Sequence, residues 1–173
     1  MPNYRRAHQG PTFFFTVVTH RRQPLLCEPS VRQILRTVTL ELRAQRPFEI
    51  DAWVLLPDHM HCIWTLPEGD LDYSARWGWL KKEVTKRICM RPAIAGSARP
   101  SPWQKRFWEH RIRDTADYAN HCDYIHFNPV RHRLVRQVSE WPWSTFHRFV
   151  SRGIYADNWG NGDVMIPDTV GHE

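Results

Sequence analysis

The amino-acid sequence predicts an α+β protein: a ferredoxin-like four-stranded antiparallel sheet (βαββαβ), an added helix over the open face of the sheet and a short C-terminal helix. Three observations lead there. Stretches of strand character and stretches of helical period follow one another in the order strand, helix, strand, strand, helix, strand, helix. The second and third strands are joined by only Pro57 and Asp58, a connection that suits antiparallel neighbours. With 173 residues and 42% hydrophobic content the chain can bury one real core, and neither half alone completes a sheet.

Residues 12–19, TFFFTVVT, are a β-branched and aromatic run of strand length between Gly10-Pro11 and His20-Arg21-Arg22. Val31, Ile34, Leu35, Val38 and Leu42 then recur at helical spacing, with Pro29 in the first turn and Arg32, Arg36 and Arg43 at polar positions. Residues 48–56 and 59–66 read as a hairpin, with Phe48, Ile50, Ala52, Val54 and Leu56 expected on one face of its first strand. Asp72 can cap a second helix whose apolar stripe is Tyr73, Trp77, Leu80, Val84 and Ile88, leaving Trp79, Lys82 and Lys86 opposite. Residues 91–102, RPAIAGSARPSP, have no periodicity and are expected to form a flexible loop. A fourth strand is expected over 104–112, and a third helix should open at Asp114 or Thr115 and stop at Pro129. Ser144 suits the cap of the last short helix. The domain is therefore expected over 1–153, followed by a weakly ordered acidic tail, 154–173, whose Asp157, Asp163, Asp168 and Glu173 face no Lys or Arg.

No stretch approaches the roughly 20 apolar residues that span a bilayer, and residues 1–6 lack a signal-peptide core, so a cytoplasmic protein without membrane partners is expected. Cys27, Cys62, Cys89 and Cys122 form no CxxC pair, which argues against a disulfide framework and a zinc ribbon. The formal charge is +6, and residues 1–46 hold the whole excess, with eight Lys or Arg against Glu28 and Glu41. Such a charge map favours an acidic partner. Arg–aromatic neighbours (Arg76-Trp77, Arg106-Phe107-Trp108, Arg148-Phe149) suit a surface that stacks bases and neutralises phosphates, although most large rings serve cores.

Side chains two apart on a strand point the same way, so His59 and His61 project together while Met60, Cys62 and Trp64 enter the core. Two imidazoles at that spacing can reach one divalent ion, with Asp58 beside them; a satisfied polar patch has the same pattern. On the third helix Asp117, Asn120, His121, Tyr124 and Asn128 share one arc, and Tyr118, Cys122 and Ile125 the apolar one. An Asn128 amide oxygen joined to the two histidines makes a mixed N/O set suited to Mg2+ or Mn2+. A phenol, with a reference pKa of about 10, is a poor nucleophile near neutrality, and a nearby cation stabilises its phenolate. Attack by Tyr124 on a single-strand phosphodiester would leave a 5′-phosphotyrosine and a free 3′-OH, which can rejoin strands without ATP. The same residues also fit plainer roles: Tyr124 an amphipathic tyrosine, Asn128 a helix end before Pro129, His121 and His126 surface histidines.

PDHMHCIW at 57–64 and YIHFNPVRH at 124–132 resemble the REP-associated tyrosine transposases, single-tyrosine members of the HUH endonuclease group related to small insertion-sequence transposases. YRR at 4–6, RPFEIDAWVLLPDHMHCIWTLPEGD at 46–70, WQKRFWEHRIRD at 103–114 and EWPWSTFHRFVSRG at 140–153 agree with them. The resemblance implies that His59 and His61 are the paired metal histidines, that Tyr124 is the nucleophile and that Asn128 stands where insertion-sequence relatives carry a Gln ligand. It implies a substrate of single-stranded DNA folded into repetitive extragenic palindromic (REP) hairpins, cut near the hairpin foot beside a short tetranucleotide. Arg133 replaces the Gly of many relatives, a change in the turn after the third helix.

Phosphate contacts are expected from Arg5 and Arg6, from Lys82 and Lys86, and from Arg131 with His132. Insertion-sequence relatives share active sites between dimer subunits; here no exposed apolar helix demands a partner, and a monomer in the bacterial cytoplasm, at the nucleoid, is expected. The acidic tail either lies across the basic DNA groove and lowers activity, or is an end without a role. Two other functions fit the sequence: a non-catalytic hairpin DNA/RNA-binding module, and a metal-dependent hydrolase that uses water.

Overall fold

The computed structural model describes residues 10–90 and 101–171; the expected loop at 91–102 falls mostly outside them, as do Arg5 and Arg6. Strands β1 (Thr12–Val18), β2 (Glu49–Leu55), β3 (His59–Thr65) and β4 (Trp108–Arg111) form one antiparallel sheet in the order β2-β3-β1-β4. Helix α1 (Pro29–Gln45) links β1 to β2 and α2 (Tyr73–Cys89) links β3 to β4; α3 (Thr115–Arg131) and α4 (Phe146–Ser151) follow. This is the expected ferredoxin-like arrangement. No helix among the described residues is long and apolar enough to cross a membrane.

Alternation along the central strands creates two cores. Phe13, Phe15, Val17, Met60, Cys62 and Trp64 face α1 and α2, meeting Val31, Leu35, Val38, Trp77, Leu80 and Val84. Phe14 and Ile63 face the other way, toward Tyr118, Cys122, Tyr124 and Ile125 of α3. Asp72 caps α2 as expected, accepting a hydrogen bond from Ala75 N at 3.1 Å. Arg76 is buried in that helix, where the Asp70 carboxylate at 2.7 Å and the Pro47 carbonyl at 3.1 Å satisfy its guanidinium.

Four sequence expectations need correction. Phe48, Ile50, Ala52, Val54 and Leu56 do not share a face: Ile50 pairs with Trp64 and Ala52 with Ile63, so Asp51 is an extra residue. This bulge sends Phe48 and Ile50 to the α1 side and Ala52, Val54 and Leu56 to the α3 side. The fourth strand is shorter than 104–112. Trp103 bridges Thr19 and Trp108 pairs with Thr16, so five steps on this segment oppose three on β1 and the ladder breaks between them. Pro129 does not stop α3, which continues to Arg131. The terminator is Arg133, at φ +57, with Arg133 N bonded to Val130 O and Leu134 N to Pro129 O, a close that usually takes glycine. Finally, the segment after α4 is not loosely attached: Tyr155 is buried, stacked on Phe146, Phe149 and Trp159, and Val170 enters the α3-side core.

Candidate active site

The α3 face of β3 carries His59 and His61, both buried. Thr16, opposite His61 on β1, places Oγ1 2.8 Å from His61 Nδ1, and Asp58 Oδ1 lies 2.7 Å from His59 Nδ1. With each Nδ1 engaged, Nε2 is the nitrogen through which each ring could ligate a metal, and a partner on Nδ1 also fixes ring orientation. Burial alone would raise the Asp58 carboxyl, but His59 and then Arg22, at 3.2 Å, hold it below its usual value.

Helix α3 brings Tyr124 to the same place. Its ring lies 5.1 Å from that of His61 at 72°, and 5.9 Å from Phe14. Asn128, one turn on, is wholly buried. The last turn adds Arg131, whose guanidinium is 5.3 Å from the Tyr124 ring centre, and the C-cap residue His132, whose ring is 5.0 Å from His59. Tyr124 is 1% exposed, because the chain end covers it. Gly171, at φ +79, approaches so closely that a Cβ there would run into the phenol carbon Cζ.

Lys82 and Lys86 are not part of this assembly. Both are exposed on α2, which covers the opposite face of the sheet.

His121 and His126 are not surface histidines, as the plainer reading had them; both are buried. His126 lies 2.8 Å from Thr145 Oγ1 and 3.1 Å from the Tyr155 hydroxyl, and burial, then Arg148, pushes its pKa down to about 3. His121 belongs to a second cluster that sequence reasoning missed. Asp117 receives His110 Nε2 at 2.8 Å and the Arg113 amide at 2.9 Å, while His121 Nδ1 lies 2.8 Å from the Asp117 carbonyl and 3.1 Å from its carboxylate. The rings of His110 and His121 stack at 4.7 Å. These side chains are close enough to hold an ion, but the carboxylate is already engaged by His110, Arg113 and His121, so they form a hydrogen-bond network. Asp117 and His121, four apart on α3, were the signal; their meeting with His110 depends on how α3 crosses β4, which no local pattern records.

Three comparisons bear on this site. The family model described as "Transposase IS200 like" matches residues 11–128, which include every residue of the candidate site up to Asn128. The REP-associated tyrosine transposase of Escherichia coli (strain K12) is 51% identical over 166 residues, 95% of this chain and 93% of that protein. A Haemophilus influenzae protein provisionally given the same name is 39% identical over 173 residues, 96% of this chain and 98% of its own. Among solved structures, a REP-associated tyrosine transposase bound to a REP hairpin superposes with a TM-score of 0.80 at 48% identity, covering 100% of this chain and 99% of that one.

Proposed function

The chain belongs to the IS200-like transposases, within them to the REP-associated tyrosine transposases, and from that premise we propose that it is a metal-dependent single-stranded DNA endonuclease and strand transferase acting on REP hairpin DNA. The observation that carries this reading is the packing of Tyr124 against His61, 5.1 Å apart within one chain, with Asn128 one turn along. One copy holds all the groups, which favours a monomer rather than a dimer with shared sites, working in the bacterial cytoplasm at the nucleoid. Residues 1–153 carry all the proposed site residues.

His59, His61 and Asn128 would hold Mg2+ or Mn2+. The fit rests on donor chemistry: His59 Nε2, His61 Nε2 and Asn128 Oδ1 are all buried polar atoms on the α3 side, while the Cys62 thiol lies in the opposite core. When bound, the ion supplies positive charge that polarises the scissile phosphate and steadies the departing 3′ oxygen.

The chain's own residues do the rest. Asp58 and Thr16 hold the two imidazoles by Nδ1. Once the chain end has moved off its ring, the Tyr124 hydroxyl loses its proton to solvent and bonds to phosphorus as the P–O3′ bond breaks; the 3′ oxygen takes up a proton, leaving a 5′-phosphotyrosine. Arg131, beside the ring, favours the phenolate. In the reverse step a 3′-OH attacks the adduct and frees Tyr124, with no loss of phosphoester. Arg131 and His132 stand where flanking phosphates pass, Arg5 and Arg6 supply an arm, and Lys82 and Lys86 serve only a strand that runs behind the sheet.

Incubation with hairpin-bearing single-stranded DNA and Mg2+ or Mn2+ tests this. A denaturant-resistant protein–DNA adduct is expected, and Tyr124→Phe should abolish it. Cleavage that survives the substitution would identify water as the nucleophile, and binding without cleavage would identify a non-catalytic hairpin-binding module.

A further inference from the structure

A second basic surface lies along the β2 edge of the sheet. A groove of about 780 Å3 runs between α1 and the 143–148 segment, lined by Arg32, Arg36, Arg43, Arg148, Trp53 and Trp143, with Glu49 its one carboxylate. These arginines are held rather than spent. Arg32 lies over the Trp143 ring at 4.5 Å and donates through Nε to the Cys27 carbonyl. Arg148 donates to the carbonyls of Ile50 and Asp51, at the bulge. Arg36 is exposed with no ion pair among the described residues, and only Arg43 meets the glutamate, at 2.9 Å.

The β2 edge itself cannot accept another strand along this groove, because Leu55 N already bonds to the Trp143 carbonyl and Thr145 N to that of Trp53. The indoles do not offer open faces for bases either, since both are partly buried and Trp143 is covered by Arg32. What the groove presents is cations in a row. Arg32, Arg36 and Arg43 extend over about 16 Å of α1, roughly five base steps at 3.4 Å. A duplex has its bases stacked inward and shows mainly phosphates, whereas an unfolded strand asks for stacking platforms. The groove lies along the outer edge of β2, one strand away from β3, on the α1 side of the sheet, whereas His59 and His61 face α3.

We propose that this groove seats the phosphate backbone of the duplex stem of the DNA hairpin, with Arg32, Arg36, Arg43 and Arg148 as its contacts. This rests on the reading that the chain acts on hairpin DNA.

The test is the affinity of the full chain, without divalent ions, for a DNA hairpin and for a strand of equal composition that cannot fold, measured across salt concentrations. Arg36→Gln touches no internal contact and should weaken hairpin binding about fivefold, with the log K against log salt slope shallower by about 0.9, and by about twice that in R32Q/R36Q. It should also narrow the preference for the hairpin over the unfolded strand. Lys105→Gln, the same charge change near β4, is the control and should move hairpin affinity much less. Wild-type hairpin affinity and slope in R36Q and R32Q/R36Q, or an equal loss in K105Q, would overturn the proposal, as would tighter binding of the same stem made of RNA. If the wild-type chain shows no preference for the hairpin, the reading of the substrate falls with it. Loss of the Tyr124 adduct alone would leave stem binding intact and separates the two claims.

Discussion

The two faces of the sheet are built from the same strands, one residue out of phase, and they differ in what they bury: the core under α1 and α2 is mainly apolar, whereas the core under α3 mixes polar groups among its apolar ones. Under α1 and α2 lie Phe13, Phe15, Val17, Met60 and Trp64, with Trp64 and Trp77 stacked at 4.2 Å and 10°. Under α3 lie Thr16, His59 and His61, and α3 answers with Asp117, His121, Tyr124, His126 and Asn128, all buried. Burying imidazoles and a carboxylate costs free energy even when they are hydrogen-bonded. Apolar packing on both faces offsets that cost, and strand alternation keeps His59 and His61 out of the core under α1 and α2.

The largest expected effect breaks this comparison if it fails. Trp77→Ala empties the apolar face and should cost about 3–5 kcal/mol of stability in urea denaturation. The adduct yield per folded molecule should not change, because α2 and the site lie on opposite sides of the sheet. A fall in yield per folded molecule would mean that the faces are coupled.

On the other face, Thr16→Val keeps the shape but removes the oxygen 2.8 Å from His61 Nδ1. Loss of such a support typically costs 10–100-fold in metal affinity. Mn2+ titration by calorimetry should show a loss of about that size, with the urea midpoint nearly unmoved. Unchanged affinity would show that His61 is oriented by packing against Phe14 and Tyr124 instead.

The third effect is one of pH. His126 is pushed by burial down to about 3, whereas the unfolded chain protonates histidine near 6.5. A depressed folded value means that stability is full above about 6.5 and is lost as the pH falls from there toward about 3. Burial lowers His121 with the same sign. One such group costs about 2 kcal/mol between pH 7 and pH 5, so chemical denaturation midpoints should fall over that range, and His126→Gln should flatten the fall. Among the described residues every buried histidine is on the α3 side, so the acid sensitivity belongs to that face.

Much of this division was legible in the sequence, for a physical reason. Period two sets His59 and His61 apart from Met60, Cys62 and Trp64, and period 3.6 puts Tyr124 and Asn128 on one arc; both periods follow from backbone geometry alone. The Asp51 bulge left no such mark, since one extra residue in EIDAWV changes no composition and only the pairing with Trp64 and Ile63 reveals it. Pro129 was misread because its missing N–H is tolerated near a helix end, where Arg133 performs the stop. The tail was misread because its acids suggested solvent, while Tyr155 and Val170 decide its path by burial.

That tail supplies the smallest expected effect. It belongs to neither face by sequence, yet Val170 enters the α3-side core and Gly171 lies against the phenol ring of Tyr124. A strand of DNA cannot reach a ring so covered until the chain end moves. A tail docked by about 1 kcal/mol would leave roughly one molecule in six open, so deleting the residues after Tyr155 should raise the initial rate of adduct formation about sixfold. Gly171→Ala should do the same by a single methyl group, because neither the positive φ nor the space beside Cζ admits a Cβ. If both variants form adduct at the wild-type rate at low salt, the tail does not gate the site. If Gly171→Ala slows the reaction, the chain end is a support for Tyr124 rather than a cover, and the chemical face extends to the last residues of the chain.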